Sequence, residues 1–151
     1  MQHIDIALVL GTLALATACG GSPTDPKSGD NAAKAPASFS EQVTRGGELF
    51  GDHCSSCHGK GGEGTAKAPP VVGPKALPLD PPSGAQFRKS KFVTVADVAD
   101  FVTKNMPADA PGSLSEEDYF AVLAFDLHAN GIDLDKKLDA GVAASLTIPR
   151  D

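Results

Sequence analysis

His53-Cys54-Ser55-Ser56-Cys57-His58-Gly59 is the stretch on which the reading of this 151-residue chain turns. Two cysteines three apart, with a histidine directly after the second, form the C-x-x-C-H pattern of covalent haem attachment. The logic is geometric. A short turn presents two thiols to the two vinyl groups of a haem, and thioether bonds lock the macrocycle to the backbone. The adjacent imidazole is then carried under the ring as the proximal iron ligand. The pattern occurs once, which predicts one haem c per chain held by Cys54, Cys57 and His58.

Zinc and redox-dithiol chemistry are the rival readings of the two cysteines. A structural zinc site needs four ligands. Cys54 and Cys57 could recruit His53 or His58, but no second C-x-x-C follows. A thioredoxin-like thiol pair needs a βαβ setting, and the chain shows no alternating strand pattern of any length. The Gly59-Lys60-Gly61-Gly62-Glu63-Gly64 run lacks the G-K-[ST] of a phosphate loop. Haem is the reading that survives.

An iron with one histidine takes a second axial ligand or keeps an open face. Met106 is the only methionine after the N-terminal apolar run, 48 residues beyond His58, between Asn105 and Pro107. The following proline limits the backbone and helps aim the thioether, so Met106 is expected as the sixth ligand. His53 and His128 are the spare histidines, the first placed to cap a turn and the second on a polar helix face.

Three capped helices frame these residues. Ser38-x-x-Glu41 reads as a capping box opening a helix to about Asp52, with Phe39, Val43, Gly46, Gly47 and Phe50 on one face. Thr94-x-x-Asp97 opens a second to about Lys104, carrying Val95, Val98, Ala99 and Val102. Ser115-x-x-Asp118 opens a third to about Asn130, stopped by Gly131, with Tyr119, Val122, Leu123 and Leu127 facing one way. The fold class is therefore all-α. Between the first two helices lies a long Pro- and Gly-rich loop, reasonable if it wraps a haem edge.

Taken together, Ser38 to Gly131 resembles a class I, small monohaem bacterial cytochrome c. The features that carry the likeness are Gly46 and Phe50, Cys54-Ser55-Ser56-Cys57-His58, and Met106-Pro107 before an amphipathic final helix. The resemblance implies a cytochrome c fold, three main helices around the covalent haem. It implies that Pro70 sits where a backbone carbonyl accepts the His58 ring N–H, and that Gly46, Phe50 and Phe125 meet where the first and last helices cross. It also implies a one-electron carrier rather than an enzyme, serving a dehydrogenase, an oxidase or a respiratory complex. The alternative is a haem protein with a labile sixth ligand that binds gas or peroxide.

The flanks speak to location. Ile6 to Ala18 is a thirteen-residue apolar run, too short to span a bilayer and suited to a signal peptide covering residues 1–18. Leu15-Ala16-Thr17-Ala18-Cys19-Gly20 resembles a bacterial lipoprotein processing site, which implies a lipid on Cys19; Ala16-Thr17-Ala18 also fits an ordinary cleavage site. Residues 19–37, poor in large apolar side chains, are expected to be a flexible linker. The cytochrome domain is expected over 38–131 and a C-terminal extension over 132–151. Export to the periplasmic side of a membrane, with lipid anchoring, follows.

Charge excludes one class of partner. The net charge is −6, and no basic stripe suits nucleic acid. Gly59 to Asn105 carries seven Lys or Arg against four acids, whereas Met106 to Asp151 carries three against nine. Such a dipolar chain can orient towards a redox partner.

Overall fold

A computed structural model describes residues 35–150 of the chain. It contains five helices: α1 (Phe39–His53), α2 (Ser55–His58), α3 (Val95–Asn105), α4 (Glu116–Ala129) and α5 (Ala140–Ser145). There is no strand among the described residues, only an isolated bridge between Thr94 and Thr147. The domain is all-α. No described helix is long and apolar enough to cross a membrane. The expected signal peptide, Cys19 and most of the expected linker lie outside the described residues.

The local signals explain where each helix begins. Ser38 Oγ accepts from Glu41 N at 3.2 Å, but the Glu41 carboxylate reaches Ala37 N at 2.6 Å, one residue earlier than a reciprocal box requires. Thr94 and Asp97 form the full box that caps α3. Ser115 Oγ accepts from Asp118 N at 3.1 Å to start α4. Gly131, at φ 79°, lets the chain turn away after α4, as a glycine past a helix end does.

The helices α1 and α4 cross in close contact, and Gly46 permits it. A Cβ built there would lie 1.9 Å from the Ala121 carbonyl oxygen. Beside the crossing, Phe50 and Phe125 stack with ring centroids 5.1 Å apart. Arg45 ties the same two helices at the rim, 3.3 Å from Asp118.

Two expectations need revision. The helix α4 is not amphipathic: Ala121, Val122, Leu123 and Ala124 are all buried in succession. One flank of it, Ala121 and Val122, packs with Leu49 and Phe50 of α1. The other, Leu123, Ala124 and Leu127, packs with Val95 and Val98 of α3 and with residues beyond position 131. Helix α4 is therefore the spine of the domain.

The residues expected to form an extension past 131 are part of this core. Leu138 and Ala143 are fully buried and Ile148 nearly so. The side chain of Gln42, itself fully buried, clamps Leu138 from both sides: Nε2 donates to its carbonyl at 2.8 Å and Oε1 accepts from its N–H at 2.7 Å. Farther along, Val95 N donates to Leu146 O and Ile148 N to Val93 O. Arg150 closes the segment by donating to the carbonyls of Leu77 and Phe92.

Long as it is, the loop between α2 and α3 is held by buried polar contacts. Arg88 is buried, donates to the carbonyls of Pro78, Leu79 and Ser90, and sits 3.5 Å from the Phe92 ring centroid. A guanidinium with its five donors can satisfy several turn carbonyls that no helix or sheet would otherwise pair.

Candidate haem-attachment site

Cys54 is both the C-cap of α1 and the N-cap of α2, so the attachment sequence lies on two helical pieces joined at one residue. Cys57 and His58 close the single turn of α2. Neither cysteine is in a disulfide, and each is half-buried. The Cys54 thiol is pushed up to about 12, first by burial, then by Asp126 and by Cys57. It is thus held as a neutral thiol at physiological pH.

His58 is aimed by a hydrogen bond. Its Nδ1 lies 2.8 Å from the Pro69 carbonyl oxygen. A carbonyl can only accept, so Nδ1 carries the hydrogen and the lone pair is left on Nε2. This is the tautomer a metal-binding imidazole needs. The acceptor is Pro69, not the Pro70 that the family pattern suggested. Pro70 acts one step removed: a proline restricts the residue before it to extended conformations, which sets the direction of the Pro69 carbonyl.

The glycine-rich run folds the loop back onto this turn. Gly64 N donates to His58 O at 2.6 Å, and Thr65 Oγ1 donates to Cys57 O at 2.5 Å. Gly62 O accepts from both Val71 N and Val72 N. Gly64 has φ 85°, and a Cβ there would lie 2.7 Å from Pro70 N, so only glycine lets the two segments approach. Two unpaired thiols and an oriented imidazole thus share one small patch. No group of three or more His, Cys, Asp or Glu side chains among the described residues could hold a metal ion. This donor set fits a covalently attached haem and does not fit a zinc site.

Residues 41–125 match the family described as cytochrome c oxidase, cbb3-type, subunit III. The chain belongs to this family. Among solved structures it is 29% identical to a chain of the sulfane dehydrogenase SoxCD from Paracoccus pantotrophus, with a TM-score of 0.54. That match covers 71% of this chain and 53% of the other, so the chain spans about half the length of its relative. A second match, the thiosulfate dehydrogenase TsdBA from Marichromatium purpuratum, is 28% identical over 56% of this chain and 17% of that one, at a TM-score of 0.42. No curated protein matches the chain. The protein is a small monohaem cytochrome c with the all-α cytochrome c fold, and haem c is its cofactor.

Within this cytochrome, Met106 is the C-cap of α3 and is half-buried. Its N–H donates to Val102 O at 2.8 Å, and its carbonyl accepts from the Tyr119 hydroxyl at 2.6 Å. Tyr119 belongs to α4, so the loop bearing Met106 is fastened to the spine of the domain. The opposite end of α4 holds the loop after Pro70: Asn130 donates to Val71 O and accepts from Gly73 N, each at 2.9 Å. His53 is exposed at the end of α1, and His128 is exposed beside Asp133.

Sequence reasoning missed Pro69, Thr65, Tyr119 as a tether, Asn130 and Asp126. Tyr119 had a usable signal, being the only tyrosine of the chain, because a buried tyrosine hydroxyl seeks a partner. Asp126 had none, since an acid near the end of a helix reads as surface.

Proposed function

We propose that this cytochrome is a one-electron carrier in which Cys54 and Cys57 hold the haem by thioether bonds and His58 and Met106 are its axial ligands. The observation that carries this reading is the 2.8 Å hydrogen bond from His58 Nδ1 to the Pro69 carbonyl, beside two unpaired thiols. Haem c supplies one iron that accepts or releases a single electron. The chain's own residues do the rest. The Pro69 carbonyl fixes the ring of His58 and raises its basicity. Tyr119 restrains the Met106 backbone, so that the thioether stays in place in both oxidation states and little rearrangement accompanies transfer.

The partner is a redox protein. Naming of the SoxCD relative as a dehydrogenase supports a place beside an oxidoreductase, and the uneven charge along the chain suits electrostatic steering to it. We further infer export through residues 1–18, a lipid on Cys19, a tether to residue 37 and the haem domain from residue 38, on the periplasmic side of a membrane. Mass measurement of the mature N-terminal peptide tests that arrangement.

Met106→Ala tests the ligand set. The oxidised wild-type protein should show the weak near-infrared sulfur-to-iron band, and the variant should lose it, bind carbon monoxide readily and drop in potential. An unchanged spectrum would remove Met106 as the ligand.

A further inference from the structure

Asp126 is a carboxyl group among apolar neighbours. It is 6% exposed, and its Oδ1 is buried with no hydrogen-bond partner. A carboxylate stripped of water and partners costs several kcal/mol, so the neutral acid is favoured; burial pushes its pKa up to about 8. Val122, one turn earlier on α4, packs in the cluster against which Cys54 lies. Residues four apart share a helix face, so Asp126 lies on that same side. When ionised, Asp126 disfavours the Cys54 thiolate, so the carboxyl is within Coulombic reach of the Cys54 sulfur. The acid therefore stands beside the point where haem joins the chain.

No neighbouring group can take over its role. On α1 and α2, Cys54 and Cys57 cease to ionise once they are thioethers, His58 is held through Nδ1 by the Pro69 carbonyl, and Arg45 is paired with Asp118. Asp52 and His53 of α1 are exposed. On α4, His128 is exposed and paired with Asp133 at 2.6 Å. Asn130 uses its amide on Val71 O, Gly73 N and the main-chain oxygen of Asp126, leaving the carboxyl alone. On α3, Lys104 is paired with Asp100 at the surface, and Lys137 of the C-terminal segment is paired with Glu117.

We propose that Asp126 binds and releases one proton as the haem iron gains and loses one electron, an inference that rests on the electron-carrier reading. The balance is simple. The ferrous protein with Asp126 protonated gives one electron to an oxidising partner protein and one proton from the carboxyl group to solvent. What remains is the ferric protein with Asp126 ionised; reduction by a donor protein, with proton uptake from solvent, restores the first state. The cause is Coulombic. Oxidation adds one positive charge to the haem, and a carboxylate beside it is stabilised strongly where water is excluded. By reciprocity the ionised carboxylate favours the ferric state, so the potential falls as pH rises.

Potentiometric titration of the haem-loaded protein, from the carboxylate range to well above neutrality, tests this. The wild type should approach a tenfold change in redox equilibrium per pH unit at its steepest, about 59 mV. Asp126→Asn should give a flat profile there. Haem propionates also titrate and are retained in that variant, so a slope that survives the substitution belongs to them and overturns the proposal. The wild type alone gives a second readout: its infrared difference spectrum should lose a protonated-carboxyl band on oxidation. A flat wild-type profile or an unchanged carboxyl band would also overturn the proposal, leaving the carrier intact. Lack of any reversible one-electron couple would sink the carrier reading instead.

Discussion

A single carbonyl, that of Pro69, decides which nitrogen of His58 remains available, and a single hydroxyl, that of Tyr119, does comparable work for Met106. Tyr119 is 3% exposed, and its hydroxyl lies 2.6 Å from the Met106 carbonyl. Tyr119→Phe keeps the ring and its packing but removes the donor. Leaving a half-buried carbonyl without its donor costs up to about 1–3 kcal/mol, the range for a fully buried group. That cost should fall on the Met106 loop rather than on α4, whose packing is untouched. In a thermal scan followed at the near-infrared sulfur band and by helical circular dichroism, the band should therefore disappear well before the helices melt. If band and helices melt together, the hydroxyl does not secure the Met106 loop.

At the level of elements, what could be read from sequence was what local chemistry settles. Ser38, Thr94 and Ser115 cap helices because a side-chain oxygen reaches an N–H three residues on, and the attachment sequence declares its chemistry within five residues. The pairing of Gly46 with α4 was implied by family likeness alone. Long-range contacts were not legible. Gln42 and Leu138 are 96 positions apart, and nothing near Gln42 marks it as a buried clamp rather than a surface residue. For the same reason residues 132–150 read as an appendage, although they complete the core around Leu123 and Leu127. Pro69 and Pro70 differ by one position, finer than any spacing argument resolves. The clamp yields a prediction. Gln42→Ala orphans the Leu138 N–H and carbonyl, each costing about 1–3 kcal/mol, so the urea midpoint should fall clearly and residues past 131 should become the first target of proteolysis. A loss within about 0.5 kcal/mol, the scale of a surface substitution, would show that the segment is anchored elsewhere.

At the scale of the whole molecule, the ionisable groups set how stability depends on pH. Three carboxyl groups depart from their ordinary values. Asp97 is lowered, chiefly by the Thr94 N–H, and Glu63 is lowered first by its own backbone N–H and then by that of Gly61. Stability from these two is present above the ordinary carboxylate range and is lost as pH falls through their depressed values. Glu63 is exposed and Asp97 only half-buried, so solvent screening keeps their share small. Asp126 works the other way. Its folded-state pKa, about 8, lies above that of the unfolded chain. The folded protein then keeps a proton that the unfolded chain has released, and its stability is full below the ordinary aspartate range and declines as pH rises towards the folded value. The slope cannot exceed about 1.4 kcal/mol per pH unit for one proton. The wild type should therefore be most stable on the acid side of neutrality, and Asp126→Asn should flatten the decline. Chemical denaturation at a series of pH values, with the haem poised ferrous and then ferric, measures both. Because a ferric haem favours the carboxylate and so lowers the folded-state pKa, the wild-type decline should end at lower pH in the oxidised protein, and this difference should vanish in the variant. Equal declines in the two oxidation states would separate Asp126 from the haem, whatever its burial.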